Sequence, residues 1–141
     1  LALARLPHGT QFRFVDRLLE LLPGEHGVAE YTVRGTEEFL AGHFPGDPLF
    51  PGVLLIEACA QLAGVVAQSD PRQEPLRELR LTAVRAAKII GSARPGEVIT
   101  LHARVQGRMG ALVQAQATAS VRGSLVVQCE VTLAGTLPHP P

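Results

Sequence analysis

Three runs in the C-terminal third of the chain alternate apolar and polar residues with a period of two. Ile99, Leu101, Ala103 and Val105 oppose Thr100, His102, Arg104 and Gln106. Val113, Ala115, Ala117, Ala119 and Val121 then oppose Gln114, Gln116, Thr118, Ser120 and Arg122, and Leu125, Val127, Cys129, Val131 and Leu133 oppose Val126, Gln128, Glu130 and Thr132. Successive side chains of a strand point to opposite faces, so each run reads as a half-buried strand. The Gly-containing links Gly107-Arg108-Met109-Gly110 and Gly123-Ser124 are short, which joins the runs as an antiparallel meander. A fourth strand is expected within residues 79–90, ahead of the turn Gly91-Ser92-Ala93-Arg94-Pro95-Gly96. A hairpin is expected from residues 14–22 and 26–34, which flank Pro23-Gly24.

A sheet with one dry face needs a cover, and the chain offers one long helix for it. Residues 52–68 are too long for an ordinary strand, start after Pro51 and stop at Ser69-Asp70-Pro71. Apolar residues occur all round the segment, so it is buried on most sides, and Ala58, Ala60, Ala63, Gly64 and Ala67 keep it slim enough for close packing. Thr36-Glu37-Glu38 reads as the N-cap of a short helical turn before Phe39-Leu40. The fold class is therefore α+β, a central helix cradled by an antiparallel sheet, in one domain over residues 1–141 with a disordered tail from 136.

With 141 residues, 46% of them hydrophobic, the chain can bury a full core. Its formal net charge is zero, so nothing global points to nucleic acid or an anionic membrane. The charge is uneven, however: residues 72–94 gather Arg72, Arg77, Arg80, Arg85, Lys88 and Arg94 against Glu74 and Glu78, a stretch that suits an acidic partner or is simply a solvated face. Cys59 and Cys129 lie in apolar patterns without a CxxC and read as reduced, buried thiols, consistent with the cytoplasm. No targeting segment is expected from Leu1 to Pro7, and the apolar run at 53–67 is too short, and too polar at Glu57 and Gln61, for a membrane span.

Glu57 is the residue out of place, an ionisable group flanked by Ile56 and Ala58 on a helix read as buried. Gln61 follows it at i+4, on the same face. His43 lies in the preceding loop, whose Gly and Pro residues end where the helix begins. A histidine titrates near neutrality and burial favours the protonated form of a carboxyl, so the two types together suit general acid/base work. The helix start adds unpaired N–H groups and a partial positive charge at Gly52, where a carbonyl oxygen becoming negative would be stabilised. Each part has a plain alternative: His43 as an ordinary turn histidine, Glu57 in a core ion pair with Arg85, the glycines and prolines as a rigid loop.

The stretch GHFPGDPLFPGVLLIEACAQ resembles the active-site motif of the (3R)-hydroxyacyl-[acyl-carrier-protein] dehydratases of bacterial fatty acid synthesis. LPHGTQFRFVDRLLEL upstream and AAKIIGSARPGE downstream are similar to the same family, so the likeness spans most of residues 6–134. The resemblance implies the hotdog fold, a long central helix wrapped by an antiparallel sheet. It also implies a dimer or trimer of dimers in which His of one subunit and Glu of the other share a site. Carried over, His43 is the catalytic base and Glu57 the acid; the amide of Gly52 or Val53, with that of Phe44, polarises the thioester carbonyl; Gln61 lines the site. No metal or organic cofactor is implied, and the partner is an acyl carrier protein bearing a 3-hydroxyacyl chain. The family's gating tyrosine has no counterpart after the helix, and Lys88-Ile89 stands where the family has Lys-Phe, so pathway and chain length stay open. Glu57, where related dehydratase-isomerases carry Asp, argues against isomerisation. Two other readings remain: a hotdog thioesterase, and a non-catalytic acyl-binding partner subunit.

Overall fold

The computed structural model describes residues 13–35 and 50–138. His43, Phe44 and the helical turn expected near Thr36 lie outside the described residues. Six strands and one helix are formed: β1 (Arg17–Leu22), β2 (His26–Thr32), α1 (Gly52–Gln68), β3 (Arg77–Ile89), β4 (Val98–Met109), β5 (Leu112–Val121) and β6 (Ser124–Thr136). The strands make one sheet in the order β1-β2-β4-β5-β6-β3, with every neighbouring pair antiparallel. Chain order alone left the place of β3 open; it lies against β6 at the far edge of the meander.

The period-two pattern decides which face is dry. Ile99, Leu101, Val113, Ala115 and Ala119 are fully buried and meet Leu55, Leu62 and Val66 of α1, also fully buried. Each such large side chain removed from water stabilises the fold by about 1.5–3 kcal/mol. Alternation breaks at the start of β6, where Leu125 is partly exposed while both Val126 and Val127 are buried. The register with β5 slips there, Ala119 pairing with Val127 and Ser120 with Leu125, so Val126 is the extra residue of a bulge. Its carbonyl accepts the N–H groups of Ile90 (2.7 Å) and Gly91 (3.1 Å), which ties the end of β3 to the bulge. β3 itself is bulged as well, with Glu78 (φ 51°) and Ala86 (φ 50°) in the left-handed region at two of its register slips.

Every residue of α1 from Leu55 to Ala67 is buried except Glu57. Its C-terminal end is clasped. Gln68 exchanges two side-chain hydrogen bonds with the backbone of Leu76 (2.7 and 2.8 Å), and the N–H of Gly24, in the β1–β2 turn, donates to the Val66 carbonyl at 3.0 Å. Gly24 has φ 76° and sits where a Cβ would lie 2.6 Å from Asp70 Oδ2, so the turn requires glycine on both counts. β6 runs through Thr136, paired with Arg77.

Candidate active site

The start of α1 is held by the residues before it. Phe50 donates its N–H to the Ala93 carbonyl (2.8 Å), and Pro51 (φ −59°) brings the chain into the helix. The Pro51 carbonyl accepts the first two backbone bonds, from Leu54 (3.0 Å) and Leu55 (3.2 Å). The amides of Gly52 and Val53 precede them, no side chain among the described residues caps the terminus, and the first turn holds no acidic residue. Donors and dipole therefore face outward at a turn whose Val53 is 67% exposed. The Cβ position that Gly52 leaves vacant is lined by Ile89, within 2.8 Å, so the glycine also admits a branched side chain of β3 against the terminus.

One turn on, Glu57 is half-buried while both neighbours, Ile56 and Ala58, are buried. Gln61 beneath it is 2% exposed, and its Nε2 donates to Glu57 Oε1 at 3.4 Å. Gln61 Oε1 accepts the buried N–H of Phe14 at 2.8 Å. Phe14 is fixed by its ring, which meets Tyr31 edge-on (5.7 Å between centroids, 85°) and Phe50 likewise (5.4 Å, 90°). Tyr31 and Phe50 close the triangle at 5.6 Å. Three aromatic residues from three separate segments thus brace the N-terminal segment, the helix start and Gln61 together.

Of the expected residues, Gly52 and Val53 open α1, and Glu57 and Gln61 follow Val53 at four-residue steps, so Val53, Glu57 and Gln61 share one edge of the helix. The alternative core partner Arg85 is exposed on β3, cross-strand from Glu130, so it does not serve as a core counter-ion for Glu57. Cys59 and Cys129 are both buried free thiols; the hydrogen bond to Cys129 and then burial push the Cys59 thiol well above its ordinary range. Sequence reading missed Asp70. It is buried, its carboxylate takes the backbone N–H and the guanidinium of Arg72, and these hydrogen bonds hold it below the usual carboxylate range. Among the described residues, no group of three or more His, Cys, Asp or Glu is placed to hold a metal ion, and no helix is long and apolar enough to cross a membrane.

The model of the FabA-like domain family matches residues 6–130. A 3-hydroxyacyl-[acyl-carrier-protein] dehydratase FabZ of Chloroflexus aggregans is 37% identical over 137 residues, 96% of this chain and 94% of the relative. The FabZ of Syntrophobacter fumaroxidans is 40% identical over 130 residues, 89% and 85% of the two chains. Among solved structures, the dehydratase heterocomplex ApeI:P from Xenorhabdus doucetiae superposes with a TM-score of 0.80 at 18% identity, covering 98% of this chain and 93% of that one. Zebrafish thioesterase superfamily member 2 superposes at 0.69 and 18% identity, with coverage of 94% and 90%. At these identities the superpositions establish the hotdog fold and nothing further.

Proposed function

The chain belongs to the FabA-like domain family, and from that premise we propose that it dehydrates (3R)-hydroxyacyl thioesters carried on acyl carrier protein to trans-2-enoyl thioesters, in fatty acid or related acyl-chain synthesis. The supporting observation is Glu57, the one residue between Leu55 and Ala67 of α1 that is not buried, one turn from the outward-facing amides of Gly52 and Val53. Those amides take the thioester carbonyl and stabilise the negative charge that grows on its oxygen. His43 removes the C2 proton, C2 and C3 form a double bond, and the C3–O bond breaks as Glu57 delivers its proton to the leaving hydroxyl, releasing water. His43 is left protonated and Glu57 ionised; one proton passing back resets the pair. Phe44 contributes a further amide and Gln61 lines the site. The chemistry calls for no cofactor.

The site is completed by a second copy of the chain, as a homodimer or a trimer of dimers. β3 is an edge strand with Val84 and Ile89 exposed, and Ile90 and Val53 add exposed apolar surface. An edge of this kind fits pairing with its own copy. The exposed Arg77, Arg85 and Lys88 of the same strand form a basic rim suited to an acidic carrier protein. One domain spans the chain, and the reduced thiols Cys59 and Cys129 support a cytoplasmic setting.

The test follows the absorbance of the enoyl thioester while 3-hydroxyacyl and trans-2-enoyl thioesters interconvert, with a thiol-release control, for wild type, His43→Ala and Glu57→Gln. Interconversion lost in both variants, without thiol release, is the expected result. Thiol release alone makes the protein a thioesterase, and silence on carrier-bound chains of several lengths makes it a binding subunit.

A further inference from the structure

Gln61 and Asp70 are the two buried polar side chains among the described residues. Asp70 is neutralised by Arg72, whereas Gln61 has no charge to balance and sits in the apolar core, where an amide is costly unless its groups are used. Its orientation is fixed by the partners. The Phe14 N–H, at 2.8 Å, can face only the carbonyl oxygen of the amide, so the NH2 group is the one turned to Glu57. Phe14 is itself locked by its two ring contacts with Tyr31 and Phe50. A rigid chain therefore runs from the aromatic cluster through a backbone amide and Gln61, and ends on one oxygen of Glu57.

We propose that Gln61 is the positioning residue of the acid step, acting through Glu57 rather than on the substrate, an inference that rests on the dehydratase reading. The Nε2···Oε1 separation of 3.4 Å is long for a resting hydrogen bond. When Glu57 gives up its proton, the carboxylate becomes a stronger acceptor and the contact tightens to a charge-assisted bond. The amide thus holds the carboxyl in one orientation before proton transfer and stabilises the anion after it. Because the donor is pre-aimed by Phe14, little reorganisation accompanies the step.

A double-mutant cycle tests this on the intact protein: wild type, Gln61→Met, Glu57→Gln and the double variant, with kcat and KM from initial rates of dehydration of a 3-hydroxyacyl thioester, the direction in which Glu57 becomes the anion, at enzyme concentrations high enough to follow the slow variants. Loss of a hydrogen bond to a developing charge lowers kcat about 10- to 100-fold, with KM within about twofold, and adds less than about twofold on the Glu57→Gln background. Equal losses on both backgrounds, a rise in KM with kcat kept, or no loss at all each overturn the assignment. Should Gln61→Met fail to fold because the Phe14 N–H is left unpaired, the contact is read from the native Gln61 instead. The side-chain amide resonances of Gln61, compared between wild type and Glu57→Ala, report the contact without turnover. A shift in a protein that turns over no thioester refutes the dehydratase reading while keeping the contact; turnover with no shift refutes the role of Gln61.

Discussion

Removing the Phe50 ring is the most direct challenge to the packing beneath the site. Phe50 is 1% exposed and contacts the rings of Phe14 and Tyr31 at 5.4 and 5.6 Å. Its neighbours cannot readily close the gap, because its own N–H is bonded to Ala93 and the next residue is Pro51, with φ fixed. Phe50→Ala is therefore expected to cost about 4 kcal/mol, within the range of about 3–5 kcal/mol for a buried phenyl, ring pairing included. Against a total stability of about 5–15 kcal/mol that is a large fraction, and at about 3 °C per kcal/mol it lowers Tm by about 12 °C. Phe50→Leu, which keeps most of the volume, is expected to cost about 1–2 kcal/mol. Urea unfolding followed by circular dichroism measures both, with protein concentration held fixed because self-association would move the midpoint. A cost below about 1 kcal/mol for Phe50→Ala, with m unchanged, would mean that the aromatic triangle does not brace the helix start, since surface positions cost as little.

Gly135→Ala places a Cβ 2.8 Å from Leu76 Cβ and 2.9 Å from the Arg77 carbonyl, neither of which is the end of a flexible chain; a loss of about 1–3 kcal/mol in thermal or urea unfolding is expected, and an unchanged midpoint refutes the close β3–β6 crossing. Asp70 is held below its unfolded pKa, so its contribution is present above about pH 4 and is lost as pH falls through the folded value; wild type should lose more stability than Arg72→Ala between pH 5 and pH 2, and parallel curves would show that the clasp is not ionic. Cys59 and Cys129 are buried, with the Cys59 thiol pushed up, so a disulfide reagent at neutral pH should react only on unfolding; rapid native labelling contradicts their burial. Val84→Asp on the exposed edge of β3 should yield monomers in analytical ultracentrifugation, and an unshifted oligomer refutes pairing through that edge.

The helix and the meander were legible because their signals are local. Pro51 and Ser69-Asp70-Pro71 bracket α1, and apolar and polar residues alternate from Ile99 to Gln106 in β4 and from Val113 to Val121 in β5. Glu57 announced itself by its apolar flanks. The contacts that orient it left no local trace: Phe14, Tyr31 and Phe50 are spread over 36 positions, and the bond to Gln61 comes from a backbone N–H that any residue at position 14 except proline would supply. The bulge at Val126 was equally hidden, because a valine suits either face and only the register with β5 places it.

Helix α1 is open at its first turn and enclosed along the rest, with its far end gripped by Gln68 and the Gly24 turn. Mechanically it is a beam rooted in the core, and its tip, which carries the amides, is itself braced through Phe50. Amide protons from Leu55 to Ala67 should then exchange with solvent only when the whole domain opens. The tip cannot drift without its root moving, so Glu57 and the helix terminus keep their spacing for as long as the protein is folded. The same arrangement gives substitutions far down the helix a direct route to the reacting groups, with no hinge between to absorb them.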